Sequence, residues 1–87
     1  MEGNHAVIEV KPSNVNRSGI ESDLTKLALF RNHGEYQRGL YLIYGNAANE
    51  CLAKRIKDAA ASVEGSQGIE IWFHPEVHLQ AALFCVL

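Results

Sequence analysis

Apolar and polar positions along this 87-residue chain keep changing their rhythm, and each change marks an element. From His5 to Lys11 the side chains alternate, so a strand there carries Ala6, Ile8 and Val10 on one face and His5, Val7, Glu9 and Lys11 on the other. Pro12 ends it, because proline cannot donate to a ladder. The stretch PSNVNRSG reads as a loop, rich in side chains that bond to their own backbone. The spacing then lengthens. Ile20, Leu24, Leu27 and Ala28 fall on one helical stripe, with Phe30 beside it, and predict a first helix. Ser18 and Glu21, three apart, have the form of a capping box at its start. Arg31 lies within the stripe near the helix end, where its stem can pack and its charge suits the C-terminal dipole. Leu29 points away from the stripe, and Asn32-His33-Gly34 supplies a stop, with Gly34 suited to a left-handed cap.

GLYLIY at 39–44 is a continuous apolar run, which predicts a central strand covered on both faces. Asn46 is the expected cap of a second helix from about residue 47 to about residue 64. Its apolar side holds Ala48, Leu52, Ile56, Ala59 and Val63; Cys51 borders that side, while Glu50, Lys54 and Lys57 face water. EGSQG at 64–68 is a helix exit and turn. The third strand, IEIWFH, buries Ile69, Ile71 and Phe73 and leaves Glu70, Trp72 and His74 opposite. After a turn at Pro75 and Glu76, VHLQAALFCVL reads as a final strand, since Val77, Leu83, Phe84 and Val86 favour one. The order β-α-β-α-β-β defines an α/β fold: one domain spanning residues 1–87, a mixed sheet of about four strands and two helices, with at least one parallel crossover.

Composition and charge narrow the functions such a fold can carry. A chain of this length buries only about 60–65 % of the surface it exposes when unfolded, so its core is thin. Leu29, Trp72 and the apolar end ALFCVL all gain from further burial, which points to a homo-oligomer or another protein partner. The net charge of −2 gives no general attraction to nucleic acid or to an anionic membrane. No run approaches the roughly 20 apolar residues of a membrane helix. Met1–His5 is polar and forms no secretory signal, so a cytoplasmic location and no membrane partner are expected. Cys51 and Cys85 form no CxxC pair and are too few for a disulfide scaffold; buried reduced thiols are the plainer reading. HPEVH at 74–78 offers two histidines and a glutamate, but Pro75 breaks the helical geometry that would bring them onto one metal.

The sharper chemistry lies at Glu9 and Lys11. Alternation puts both on one strand face, about 6.5–7 Å apart along it. A carboxylate there could hold Mg²⁺ while the neighbouring ammonium lies beside the metal-bound water or stabilises developing charge. At least one further acid is needed, since Mg²⁺ takes hard oxygen ligands. Glu21 is accounted for by capping, which leaves Asp23 as the better candidate beside a plainer role as a first-turn acid.

AVIEVKPS, then GIESDLTKLALF and YQRGLYLIYG, resembles the core of the PD-(D/E)XK nuclease superfamily, the restriction-endonuclease-like fold. In that family an E-x-K strand is followed by a helix and a further strand ending near a glycine. The resemblance spans roughly residues 5–45 and implies a metal-ligand role for Glu9, the motif lysine for Lys11, and a migrated second acid at Asp23. It also implies Mg²⁺ as cofactor and nucleic acid as substrate. The family's acid on a preceding strand has no counterpart, as only Glu2 precedes His5 among acids. The chain is then a fragment of a longer nuclease-like domain, or a domain whose site a second subunit completes, or an unrelated α/β fold with a surface ion pair. The reading favoured for this chain alone is a non-catalytic or degenerate domain of that type acting as an oligomeric interaction module. The alternative is a Mg²⁺-dependent nuclease with its site completed from elsewhere.

Overall fold

The computed structural model describes residues 5–32 and 36–87. Six elements follow in the expected order: β1 (Ala6–Pro12), α1 (Arg17–Asn32), β2 (Arg38–Tyr44), α2 (Glu50–Ala60), β3 (Glu70–His74) and β4 (Ala82–Val86). The fold is α/β, with one mixed sheet in the spatial order β1-β2-β3-β4. β1, β2 and β3 are mutually parallel and β4 returns antiparallel to β3. Two β-α-β crossovers thus step the same way across the sheet. Crossovers of the same right hand, repeated in one direction, deliver both helices to one face.

The core shows that both helices share a face. Ile20, Leu24 and Leu27 of α1 and Leu52, Ile56 and Ala59 of α2 are buried with Tyr41 and Ile43 of β2 and Ile71 and Phe73 of β3. Tyr41 pairs in register with Ile71, and Ile43 with Phe73, so these side chains rise on the same side. Alternation sends the others to the opposite side, where two rows run across all four strands. Ile8, Leu40, Glu70 and Val86 make one row; Val10, Leu42, Trp72 and Leu83 make the next. β3 meets β4 with a register shift between Ile71 and Trp72, which leaves Phe84 extra; its ring packs on Phe73 at 4.8 Å between centroids.

The run GLYLIY does form a central strand, but it is not covered on both faces. Tyr41 and Ile43 are buried, whereas Leu40 and Leu42 are only half-buried because no helix crosses their side. Both helix starts also differ from expectation. Asn16, not Ser18, caps α1: its Oδ1 accepts from the Gly19 N–H at 2.8 Å, and Glu21 instead takes the Arg17 Nε–H at 3.0 Å. An arginine in the first turn lies one turn from Glu21, and the ion pair wins over the box. Asn49, not Asn46, caps α2, its Oδ1 accepting from Cys51 N–H at 3.0 Å and Leu52 N–H at 3.3 Å. Residues 45–48 are used by a turn instead, with Ala48 N–H on the Gly45 carbonyl at 3.1 Å. α2 ends at Ala60 rather than near residue 64, and β4 covers only the last part of the expected strand. The stop at His33 and Gly34 lies outside the described residues.

Two close approaches fix α1 and the loop leading to α2 against the sheet. Arg31 lays its stem over Gly39, whose hypothetical Cβ would stand 2.9 Å from Arg31 Cδ, and its Nη1 donates to the Gln67 carbonyl at 2.7 Å. At the other end of the sheet, Ser13 N–H donates to the Tyr44 carbonyl at 2.7 Å, and its hydroxyl accepts from Ala47 N–H at 3.2 Å. Gly45, at a φ of +120°, lets the chain turn there against Ser13.

Candidate functional site

β1 is an edge strand, and its inward side chains Val7, Glu9 and Lys11 point beneath α1 rather than into the centre of the core. Parallel pairing sets Glu9 beside Tyr41 and Lys11 beside Ile43. The next layer comes from α1. Ile20, Leu24 and Leu27 take its core stripe, so Asp23, three residues from Ile20 and four from Leu27, turns toward the sheet at the β1 side. One turn on, Lys26 follows it over the same strand.

These residues meet. Lys11 Nζ lies 3.6 Å from Asp23 Oδ1 and 3.9 Å from Glu9 Oε2. Lys26 Nζ approaches the other Glu9 oxygen at 3.3 Å. The Tyr41 hydroxyl donates to Asp23 Oδ2 at 2.8 Å. Asp23 is only 2 % exposed, while Glu9, Lys11 and Lys26 reach progressively toward solvent. Burial pushes the Tyr41 phenol well above its ordinary range, and the hydrogen bond to Asp23 adds to the shift, so Tyr41 is a fixed donor. Asp23 is not the first-turn acid that its position suggested. With α1 starting at Arg17 it lies beyond the first turn, and its partners are Tyr41 and Lys11 rather than helix N–H groups.

The cluster therefore holds two carboxylates from different elements, two ammonium groups and one phenol. Its oxygen donors suit a hard cation, and Mg²⁺ is commonly held by one or two carboxylates plus substrate phosphates rather than by a full protein cage. Among the described residues no three His, Cys, Asp or Glu side chains gather for any metal, so the cluster is not a zinc site and a hard cation there would take its remaining ligands from water and substrate. Glu9 and Asp23 are the residues that would hold such an ion.

The three residues singled out in the sequence, Glu9, Lys11 and Asp23, are brought together. Tyr41 and Lys26 were missed. Lys26 carried a faint signal in its three-residue spacing from Asp23, but Tyr41 could be found only from the parallel register. The other candidates do not assemble. HPEVH is a turn in which His78 approaches Glu76 at 3.3 Å on an exposed surface. Cys51 is exposed and Cys85 half-buried, so the expectation of two buried thiols fails: Cys51 lies at the border of the α2 stripe, on its water side.

Across the sheet a second polar group stands apart. Arg38 Nε and Nη2 grip the Glu70 carboxylate at 2.8 and 2.7 Å, and Trp72 Nε1–H donates to it at 3.0 Å. The Arg38 hydrogen bond holds the Glu70 carboxyl below its ordinary value against the opposing effect of burial, with the Trp72 bond adding to it. Among the described residues no helix is long and apolar enough to cross a membrane. No family model, curated protein or solved structure matches the chain.

Proposed function

We propose that this domain carries the lysine-and-carboxylate half of a Mg²⁺-dependent nuclease centre, acting on nucleic-acid phosphodiesters and completed by another segment or subunit. One observation carries the reading: Lys11 stands within 4 Å of two carboxylates delivered by two elements, Glu9 from β1 and Asp23 from α1. The resemblance of residues 5–45 to the PD-(D/E)XK core supports the same assignment.

In this reading Glu9 and Asp23 hold the cation, which when bound lowers the pKa of a water and neutralises phosphate charge. Tyr41 fixes the Asp23 carboxylate by its 2.8 Å hydrogen bond, so the acid is oriented before substrate arrives. Lys11 places a positive charge beside that carboxylate pair, where it stabilises charge developing on the phosphoryl oxygens. Lys26, more exposed than the rest, draws the phosphate backbone toward a chain whose net charge is negative.

The test joins binding to turnover. Thermal unfolding is followed with Mg²⁺ or Mn²⁺ up to millimolar concentrations, and cleavage of DNA and RNA is assayed in parallel. A raised Tm that Asp23→Asn removes, with metal-dependent cleavage that Lys11→Ala abolishes, is the expected result. At a metal concentration of 100 Kd the stabilisation would be about 2.7 kcal/mol. The absence of both a metal-dependent Tm and cleavage would end the proposal.

That outcome would leave a second reading, a non-catalytic interaction module. It is favoured by the sheet face opposite the helices, where Ile8, Val10, Leu83 and Val86 are about half exposed.

A further inference from the structure

The strand order that puts both helices on one face strips the other. Parallel strands are normally covered on both sides, yet Ile8 (53 % exposed), Val10 (50 %), Leu83 (49 %) and Val86 (54 %) stand in the open in two adjoining rows. Trp72 lies half-buried between them, next to Glu70. From these four exposures the aliphatic patch amounts to roughly 370 Å² before the half-buried Leu40, Leu42 and Trp72 add to it, the size of the largest apolar patch on an ordinary monomer, which is often functional.

We propose that this face is closed by the same face of a second copy, giving a two-fold, sheet-on-sheet dimer with the helices outermost. Charge selects this occupant. Glu70 is the one charged residue in the two rows, and the adjoining Arg38 holds it in a bidentate pair, so the patch is apolar with no net charge. A two-fold axis sets a patch against itself, which a net-charged surface resists and a neutralised one permits. Nucleic acid would need free cations, and Arg38 is already engaged. The size makes the contact a weak one. Two such patches bury roughly 750 Å² of these aliphatic side chains, with Leu40, Leu42 and Trp72 adding to it, below the standard specific interface, which predicts association in the micromolar range or weaker rather than nanomolar. The Glu9–Lys11–Asp23 cluster lies on the other side of the sheet, so this dimer is independent of the nuclease reading.

Sedimentation equilibrium from about 1 to about 500 µM tests it, since that range brackets a micromolar Kd. The weight-average mass is expected to rise from 9.6 kDa toward twice that value. Emission of Trp72, the single tryptophan, should shift to the blue over the same range. Val10→Lys and Leu83→Lys change half-exposed positions, so they should fold as judged by circular dichroism and weaken association at least tenfold. Leu29→Lys on the exposed side of α1 should leave it unchanged, and so should Lys11→Ala, whatever that variant does to catalysis. A monomer at every concentration overturns the proposal. So does a dimer that withstands Val10→Lys and Leu83→Lys, because it would be joined through the free edges of β1 or β4.

Discussion

The Tyr41 hydroxyl on the central strand donates to the Asp23 carboxylate on α1 at 2.8 Å, and both side chains are almost wholly shielded from water. A carboxylate in such a place must be satisfied, and Asp23 is satisfied twice, by the phenol and by Lys11. The pair fixes the middle of α1 over the edge of the sheet and, in the proposed site, orients the acid.

Removing the phenolic oxygen tests that role. Tyr41→Phe keeps the ring and deletes the donor, so the fold should lose about 1–3 kcal/mol, the cost of leaving a buried polar group unpaired. Urea unfolding reads the loss. If Asp23 also holds a metal, the same variant should weaken the metal-induced rise in Tm.

Acid should loosen the opposite face. Glu70 titrates below its ordinary value of 4.5 in the folded chain, chiefly through its hydrogen bond to Arg38. A depressed carboxyl gives stability that is fully present above the unfolded value and is lost as pH falls through the folded one. Tm should therefore decline on acidification below about pH 4.5. Glu70→Gln should flatten that decline, which a pH series of melting curves for both proteins would show.

Gly45 should not tolerate a side chain. Its φ of +120° is a conformation that L-residues rarely adopt, and a Cβ there would run into the Ser13 hydroxyl. Gly45→Ala should destabilise the fold by about 1–3 kcal/mol. Because Ser13 also accepts from Ala47 N–H, the entry to α2 should loosen first, visible as faster amide exchange at residues 46–49.

The Asn49 cap offers a smaller and cleaner effect. Its side chain accepts from two N–H groups at the start of α2, and Asn49→Ala should cost about 1 kcal/mol, whereas Asn46→Ala should cost far less. Chemical denaturation of the two variants would separate the observed cap from the one that the apolar pattern suggested.

Periodicity was enough for β1, α1, α2 and β3 and the stripes of the last three, because burial imposes a period of two or of about 3.6 on any strand or helix with one wet side. β2 was legible as an unbroken apolar run and β4 through its β-favouring residues. The alternation in β1 also puts Glu9 and Lys11 on one face. Caps were less legible: Ser18, Asn46 and Asn49 are all competent residues, and only the path of the chain around Arg17 and Gly45 decides which oxygen meets a free N–H. β1 shows the limit most plainly. Its apolar set, Ile8 and Val10, looks like a core face and is the bare one, while Glu9 and Lys11 face the helices.

By itself the sequence determined an α/β chain of six elements with a glutamate and a lysine side by side on the first strand. Tertiary structure decided what those two residues meet. The parallel register brought Tyr41 beside Glu9, and the rotation of α1 turned Asp23 inward. It also decided which side of the sheet stays open, since two crossovers in one direction place both helices together. Local periodicity records that a residue is buried or exposed along its own element. Which elements do the covering depends on strand order and on contacts far apart in the chain, and no local pattern encodes those.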